Sequence, residues 1–256
     1  QAWFDISREG DMIAISANNE SSLACGFYWY MKKYIHGQVT WTGDQISPPE
    51  RLPLPEKSHR VTSPFRYRYN LNVCTFGYSM PWWDWKRWER EIDWMALHGI
   101  NMPLALTGEE AIQQRIFMNL GLSAEEMRHH LSGPAFLPWQ WMGNIDRWKG
   151  PLPQSWIDTH ADLQKKILER QRQLGMTPIL PGFNGYVPRA LKKHYPDADI
   201  QQLKGWVEGT TGFEGTWFLE PTDPLFRKIA SQFVETLTRE FGTSHYYSID
   251  IYNEMT

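Results

Sequence analysis

The first 45 residues carry the pattern of short strands around a helix. Apolar and polar residues alternate across Trp3 to Ile6 and across Met12 to Ile15, on either side of the turn Arg8-Glu9-Gly10-Asp11, which predicts two strands. An apolar stripe from Ser21 to Ile35 predicts a helix, and Val39-Thr40-Trp41 predicts a further strand. We therefore expect a small α/β unit at the front of the chain.

A proline-rich stretch follows this unit. Between Ile46 and Pro64, prolines stand at positions 48, 49, 53, 55 and 64 among charged residues, a composition that neither packs into a core nor propagates a helix. We interpret the stretch as a linker. It divides the chain into a small N-terminal α/β domain with its linker, residues 1–62, and a second domain, residues 63–256.

The second domain alternates between strand and helix patterns. The predicted strands are Tyr69 to Thr75, Ile100 to Leu106, Met176 to Leu180 and Tyr246 to Tyr252. The predicted helices run from Trp85 to the stop at Gly99, from Glu109 to Leu120, from an N-cap at Ser155 to Gly175, and from Asp223-Pro224 to Gly242. This order is typical of a parallel sheet or a (β/α)8 barrel, which periodicity alone does not separate.

Motifs favour the barrel. The chain has no Gly-x-Gly-x-x-Gly after its first parallel strand and no Gly-x-x-x-x-Gly-Lys, the motifs that typify nucleotide-binding open sheets. A full barrel has eight strands. The α/β fold that we predict is therefore the small domain followed by the first half of a (β/α)8 barrel, with two exposed sheet edges.

Charge and composition narrow the classes of partner. The 26 basic and 29 acidic residues nearly balance and are not segregated, so nucleic acid is not expected as a partner. No apolar run approaches the ~20 residues that cross a bilayer, so no membrane partner is expected. The chain begins at Gln1 without a leader, and we expect an exported protein, periplasmic, extracellular or lysosomal, whose signal has been removed. Oligomeric state is left open.

Tryptophan is the unusual feature of the composition. The chain has 14 Trp in 256 residues. Most of them are expected to serve the core. The remainder indicates sugar binding, because a flat indole face matches the apolar C–H face of a pyranose and its N–H can bond a hydroxyl.

Polar residues at the ends of the predicted strands are the candidates for chemistry, because the active site of a parallel barrel lies at that end. The fourth strand ends in Asp250-Ile251-Tyr252-Asn253-Glu254. In many barrel glycosidases such a Glu protonates the glycosidic oxygen while the Asn bonds the 2-substituent of the sugar. A solvated carboxylate at a strand end is the alternative. Strand rise would place Asp250 about 13 Å from Glu254, too far for a catalytic pair.

The first predicted strand supplies two further candidates. Asn72 and Cys74 point to the same face of a strand and so present an amide and a thiol to a ligand, although a buried Cys that simply packs is the more common case. The adjacent histidines 129 and 130 and His160 lack the spacing of metal ligands. We expect neither a metal nor a cofactor.

Longer motifs resemble the alpha-N-acetylglucosaminidases of glycoside hydrolase family 89 across residues 67–256. The similar segments are Asn72-Val73-Cys74-Thr75, Tyr78-Ser79, Trp82-Trp83-Asp84-Trp85, the run from Arg87 to Leu97, Gly99-Ile100-Asn101, Gly133-Pro134-Ala135-Phe136-Leu137, Trp139, Met142-Gly143-Asn144, Gly150-Pro151-Leu152-Pro153, Gly175-Met176-Thr177-Pro178, Phe241-Gly242-Thr243 and Asn253-Glu254-Met255. Departures are modest and include Tyr186, where animal members carry His.

The resemblance implies an exo-acting retaining hydrolase that removes terminal alpha-linked N-acetylglucosamine from a glycan, with two glutamates and no metal. It implies that Glu254 is the acid/base and that the second half of the barrel, outside this chain, supplies the nucleophile. A fragment without the nucleophile is expected to be inactive. The residues that it implies around the single-sugar pocket are Asn72, Cys74, Tyr78, Trp139 and Asn253.

Two alternatives to this enzyme stay open at the level of sequence. One is a sugar-binding module without activity, which needs exposed Trp residues and no working acid. The other is a different barrel glycosidase with the same Asn-Glu motif, which would bind another sugar better than N-acetylglucosamine.

Overall fold

The computed structural model describes residues 1–206, 213–251 and Glu254. Its strands are β1 Trp3–Glu9, β2 Met12–Ala17, β3 Gln38–Val39, β4 Asp44–Gln45, β5 His59–Thr62, β6 Tyr69–Asn70, β7 Met102–Pro103, β8 Leu180–Pro181, β9 Tyr186–Val187, β10 Ile200–Gln202, β11 Trp217–Leu219 and β12 Tyr247–Ser248. Its α-helices are α1 Glu20–Tyr34, α2 Thr75–Tyr78, α3 Trp85–Leu97, α4 Glu109–Asn119, α5 Ala124–His130, α6 Leu137–Trp141, α7 Gln154–Gln173, α8 Leu191–His194 and α9 Pro224–Phe241, and Pro134–Phe136 is a 3-10 helix.

The chain forms two compact units. Unit 1 comprises residues 1–71, 83–104 and 166–178, and unit 2 comprises residues 72–82, 105–165 and 179–256.

An antiparallel sheet in the order β2-β1-β5 forms the front of unit 1. Phe4, Ile6 and Tyr30 are its buried centre, since the inward residues of β1 meet the apolar face of α1. The Asn19 side chain accepts a hydrogen bond from the Ser22 backbone N–H at 2.8 Å and so caps α1. On the outer face of the sheet, Arg60 pairs with Asp5.

Helix α3 packs against α1 within the same unit. Asp84 caps α3 by accepting from the Arg87 N–H at 2.9 Å, and its inner face buries Ile92 and Met95 completely. In unit 1, β6 also pairs with β7 in parallel. The sequence predicted α3 and its end before Gly99, and the structure confirms both.

Unit 2 contains a second parallel pair, β8 with β12. Helices α4 and α9 pack against each other in this unit. Arg115 of α4 forms an ion pair with Glu240 of α9. Asp223 caps α9 as the sequence predicts, through a 2.7 Å bond from the Leu225 N–H. A small antiparallel sheet, β10-β11-β9, also lies in this unit. The sequence pattern did not indicate it, because two- and three-residue strands carry no readable alternation.

The prediction of a linker is wrong for part of the segment. Residues 59–62 form β5, which pairs with β1 so that Val61 lies opposite Phe4. No proline lies between Pro55 and Pro64, and Val61 packs against the core of the sheet. The boundary at residues 62 and 63 stays a prediction.

All four parallel strands, β6, β7, β8 and β12, are shorter than predicted, and for two of them the structure shows where pairing ends. β6 ends at Asn70 rather than near Thr75, because the chain turns at Asn72, whose side chain accepts from the Cys74 N–H. β12 ends at Ser248, whose carbonyl accepts the last ladder bond, from Gly182 N–H at 2.9 Å. Helix α7 begins at Gln154, so Ser155 lies inside its first turn rather than at the cap.

Among the helices of the described residues, none combines the length and apolar character that spanning a membrane requires.

The pairing of β5 predicts a stability effect that depends on the face of the strand. Val61→Asp places a charge against the sheet core, and we expect the free energy of unfolding to fall by ~2 kcal/mol or more. Thr62→Asp, on the exposed side of the same strand, should change it by less than ~0.5 kcal/mol. Urea unfolding of both variants measures the difference. Equal effects would show that residues 59–62 behave as a linker.

Candidate active site

A tight turn follows β6 and leads into the short helix α2. The Asn72 side-chain oxygen accepts from the Cys74 N–H at 2.8 Å. The Asn72 carbonyl accepts from the Thr75 N–H at 3.1 Å. The sequence analysis expected Asn72 and Cys74 to share one face of a strand. They lie in the turn instead, so that expectation is wrong. The Asn72 side chain is exposed, and its only hydrogen bond to another described residue is at its oxygen, so its NH2 group is available to a ligand.

Two aromatic side chains meet beside this turn. The rings of Tyr78 and Trp139 lie 5.2 Å apart at 77°, an edge-to-face contact. Tyr78 is 74% exposed, so one face of the pair is open to a ligand. Gly77 makes the approach possible: a Cβ at this position would lie 2.7 Å from the Trp139 ring and 2.8 Å from the Ala135 carbonyl oxygen.

Glu254 is exposed and adopts a left-handed backbone conformation, with φ of 55°. The Trp206 indole N–H donates to one Glu254 carboxylate oxygen at 3.0 Å. Trp206 was not among the residues that the sequence analysis selected. The only sequence signal for it was the excess of tryptophan.

Cys74, in the turn after β6, lies within electrostatic range of residues near the end of the chain. Burial raises the pKa of the Cys74 thiol, and the negative charges of Glu254 and Asp250 raise it further. Two carboxylates thus lie within electrostatic range of this thiol. At neutral pH Cys74 is a protonated thiol rather than a nucleophilic thiolate.

A narrow cleft lies close by. Most of the residues around it lie at the ends of β8 and β12 or in the segments after β6, β7, β8 and β12, two come from the end of α6, and all belong to unit 2. They are Val73, Leu106, Glu109, Trp141, Met142, Pro181, Gly182, Asn184, Ser248 and Asp250. The cleft therefore sits where the loops after parallel strands converge, the usual place for a site in this class of fold.

Two adjacent glutamates at the start of α4 are the residues that the sequence analysis missed. Glu109 is 5% exposed and Glu110 is 2% exposed. Burial raises the pKa of Glu109 to about 8, offset in part by a hydrogen bond from Gln113. Burial likewise raises the pKa of Glu110 to about 7. Their position directly after a strand was visible in the sequence, but their burial was not.

The remaining predicted residues divide as follows. Asn253 lies outside the described residues and stays a prediction. Asp250 lies beyond the end of β12 rather than within a strand, so the estimate of 13 Å from Glu254, which assumed an extended strand, loses its basis. Asp250 lines the cleft and its partial burial raises its pKa.

The described residues include no group of three or more His, Cys, Asp or Glu side chains placed to hold a metal ion. His160 stacks on Trp156, with ring centroids 3.7 Å apart. His130 lies 3.5 Å from Asp146.

Two domain descriptions match the chain. Residues 1–54 match the alpha-N-acetylglucosaminidase (NAGLU) N-terminal domain, and residues 68–256 match the alpha-N-acetylglucosaminidase tim-barrel domain. The chain belongs to the alpha-N-acetylglucosaminidase family. The predicted fold class, a small α/β domain followed by part of a (β/α)8 barrel, is confirmed.

Relatives of this family are similar along nearly the whole chain. Human alpha-N-acetylglucosaminidase is 42% identical over 243 residues, which are 95% of this chain and 33% of the relative. A family 89 glycoside hydrolase from Clostridium perfringens, solved with 2-acetamido-1,2-dideoxynojirmycin, is 33% identical with a TM-score of 0.91 over 97% of this chain and 28% of its own.

The Clostridium enzyme was also solved as a variant with two glutamates changed to glutamine, in complex with its substrate GlcNAc-alpha-1,4-galactose. That structure is 33% identical to this chain, with a TM-score of 0.91 over 97% of this chain and 28% of its own. The chain spans about a third of the length of the human relative.

The close contact at Gly77 yields a test of the aromatic pair. Gly77→Ala forces the Trp139 ring or the Ala135 carbonyl away, and we expect a loss of ~1 to 3 kcal/mol of unfolding free energy with a changed near-UV circular dichroism spectrum. Gly37→Ala is the control, because its Cβ would meet only ordinary contacts of 3.6 Å and more. An unchanged spectrum in Gly77→Ala would show that Trp139 does not pack there.

The buried glutamates predict how stability depends on pH. Their folded pKa values, about 8 and about 7, exceed the 4.5 of an unfolded glutamate. Their neutral forms therefore stabilise the fold fully below pH 4.5, and this contribution is lost as pH rises to about 8. We expect the melting temperature to fall less between pH 5 and 8 in the Glu109→Gln/Glu110→Gln variant than in wild type.

The exposed residue Glu235, changed to Gln, is the control for that experiment. It should follow the wild-type pH dependence. If the double variant also follows the wild type, the two glutamates are ionised in the folded protein.

Proposed function

We propose that the full-length protein carrying this chain is an exo-acting retaining glycoside hydrolase that removes terminal alpha-linked N-acetylglucosamine, with Glu254 as general acid/base. The observation that carries the proposal is the position of Glu254. This carboxyl is held by Trp206 and lies within electrostatic range of Cys74, whose chain neighbour Val73 lines the cleft. Family membership supports the reaction and the sugar.

Glu254 suits the acid/base role because it is exposed to a ligand while its orientation is held. The Trp206 N–H donates to one carboxylate oxygen at 3.0 Å, and the other, which no described residue hydrogen-bonds, is proposed to protonate the glycosidic oxygen. After the leaving group departs, the same carboxylate takes a proton from the attacking water. Double displacement also needs a second carboxylate roughly 5 Å away. On the resemblance, the second half of the barrel supplies that group.

The sugar is proposed to lie over the open edge-to-face pair of Tyr78 and Trp139, whose aromatic surface matches the C–H face of a pyranose. Asn72 is proposed to donate its exposed amide to a sugar oxygen. Asn253 is proposed to bond the 2-acetamido group, whose hydrogen bonds strengthen in the transition state. Cys74 is proposed to line the pocket with its small, protonated thiol.

The acid/base role of Glu254 is tested by changing the demand for protonation. In the full-length protein, Glu254→Gln keeps the shape of the side chain but cannot donate a full proton. We expect kcat/KM to fall by ~100-fold or more on an alpha-GlcNAc disaccharide. The loss should be much milder on an aryl glycoside whose leaving group departs without protonation.

Glu235→Gln, which changes an exposed glutamate on α9 in the same way, is the matched control and should retain both activities. Equal losses of Glu254→Gln on the two substrates, or no loss on either, would return Glu254 to a solvated carboxylate. A wild-type protein that binds N-acetylglucosamine but hydrolyses neither substrate would favour the sugar-binding module.

A further inference from the structure

The cleft has room for one small polar group. Its whole volume is about 20 Å³, which matches a single water molecule or one hydroxyl group of a sugar that lies outside it. Two carboxyl groups line it, Glu109 from the start of α4 and Asp250 from beyond β12. The acid/base mechanism above uses neither of them.

Glu109 has one oxygen bonded and one open. Its Oε1 accepts from the Gln113 side-chain N–H at 2.8 Å. Its other oxygen has no hydrogen-bond partner in the described part of the chain, although the side chain is 95% buried, with 5% exposed. That oxygen is therefore available to bond a ligand or a water molecule.

The charge states of the two groups are complementary. Glu110 on the same helix, Asp250 across the cleft and His160 of α7, whose backbone lies against Gly108, are the titratable groups around Glu109. Burial raises the pKa of Glu109 to about 8, so its open oxygen carries a proton at neutral pH. Asp250, whose carboxyl has no hydrogen-bond partner within the described ranges, is the more exposed of the two and accepts.

A sugar hydroxyl is both a donor and an acceptor and so fits between such a pair. An enzyme that acts on a terminal sugar encloses the hydroxyls at its non-reducing end, and each enclosed hydroxyl needs a partner. The 2-acetamido group and the glycosidic oxygen are assigned to Asn253 and Glu254. Apart from the one sugar oxygen proposed for Asn72, the ring hydroxyls and the 6-hydroxyl have no assigned partner.

We propose that Glu109 donates its carboxyl O–H to one hydroxyl of the terminal sugar, which in turn donates to Asp250, so that Glu109 is a positioning residue for substrate specificity. This proposal rests on the proposed function, since it names the sugar of that site. It adds a contact at the floor of the pocket.

The test removes the hydroxyl from the ligand and its partner from the protein. In the full-length protein, inhibition constants are measured for N-acetylglucosamine and its 3-, 4- and 6-deoxy analogues with wild type, Glu109→Ala and Glu109→Gln. We expect wild type to bind one analogue about tenfold more weakly than N-acetylglucosamine, as the loss of a buried hydrogen bond predicts.

Glu109→Ala should bind N-acetylglucosamine about tenfold more weakly than wild type does. This variant should bind that one analogue as tightly as it binds N-acetylglucosamine. Glu109→Gln, whose amide N–H replaces the acid O–H, should recover most of the lost affinity. Glu91→Gln is the control, because Glu91 is fully buried but is not among the residues that line the cleft. It should keep the wild-type constants.

Several outcomes would overturn the proposal. The absence of a penalty for every deoxy analogue in wild type is one such outcome, and it decides the matter even where Glu109→Ala fails to fold. Equal weakening of all four ligands by Glu109→Ala, with the deoxy penalty kept, is another and indicates a structural role. If the wild type hydrolyses no alpha-GlcNAc substrate, the proposed function fails, and calorimetric titration of the same four sugars still decides whether Glu109 binds a hydroxyl.

Discussion

Parallel strand pairing is the constraint on which the candidate site depends. Both β6 with β7 and β8 with β12 run parallel, and in such sheets the loops that follow the strands gather at one edge. Residues far apart in the chain, such as Val73 and Asp250, therefore line one cleft. Without this pairing, the polar residues after the strands would have no reason to share an environment.

Burial then gives similar side chains different chemistry. Glu109 is enclosed and its pKa is raised to about 8, so it acts as a hydrogen-bond donor at neutral pH. Glu254 is exposed and accepts a hydrogen bond from the Trp206 N–H. One residue type can thus serve as a neutral contact at the floor and as a proton carrier at the mouth of a pocket, because desolvation favours the uncharged form of a carboxyl.

The aromatic surface depends on a missing side chain. Tyr78 and Trp139 come from separate helices, and their contact requires Gly77, since any Cβ there would meet the Trp139 ring. Van der Waals exclusion therefore places the pair as much as aromatic attraction does. After β6 a side chain that is present, and not one that is missing, shapes the backbone. The side chain of Asn72 bonds the backbone locally and ends the strand.

The sequence by itself determined the main helices, the end of α3 before Gly99 and of α9 at Gly242, the fold class and the family, because caps, periodicity and long motifs are local properties of the chain. It also predicted Tyr78 and Trp139, which the structure brings into contact, and Glu254, whose role is still a proposal.

Only the tertiary structure decided that residues 59–62 join the first sheet, that β6 and β12 are short, and that Glu109 is buried beside Asp250. These features depend on which partner a segment meets. Strand pairing and desolvation are set by residues distant in the chain, which no local pattern of hydrophobic and polar positions records.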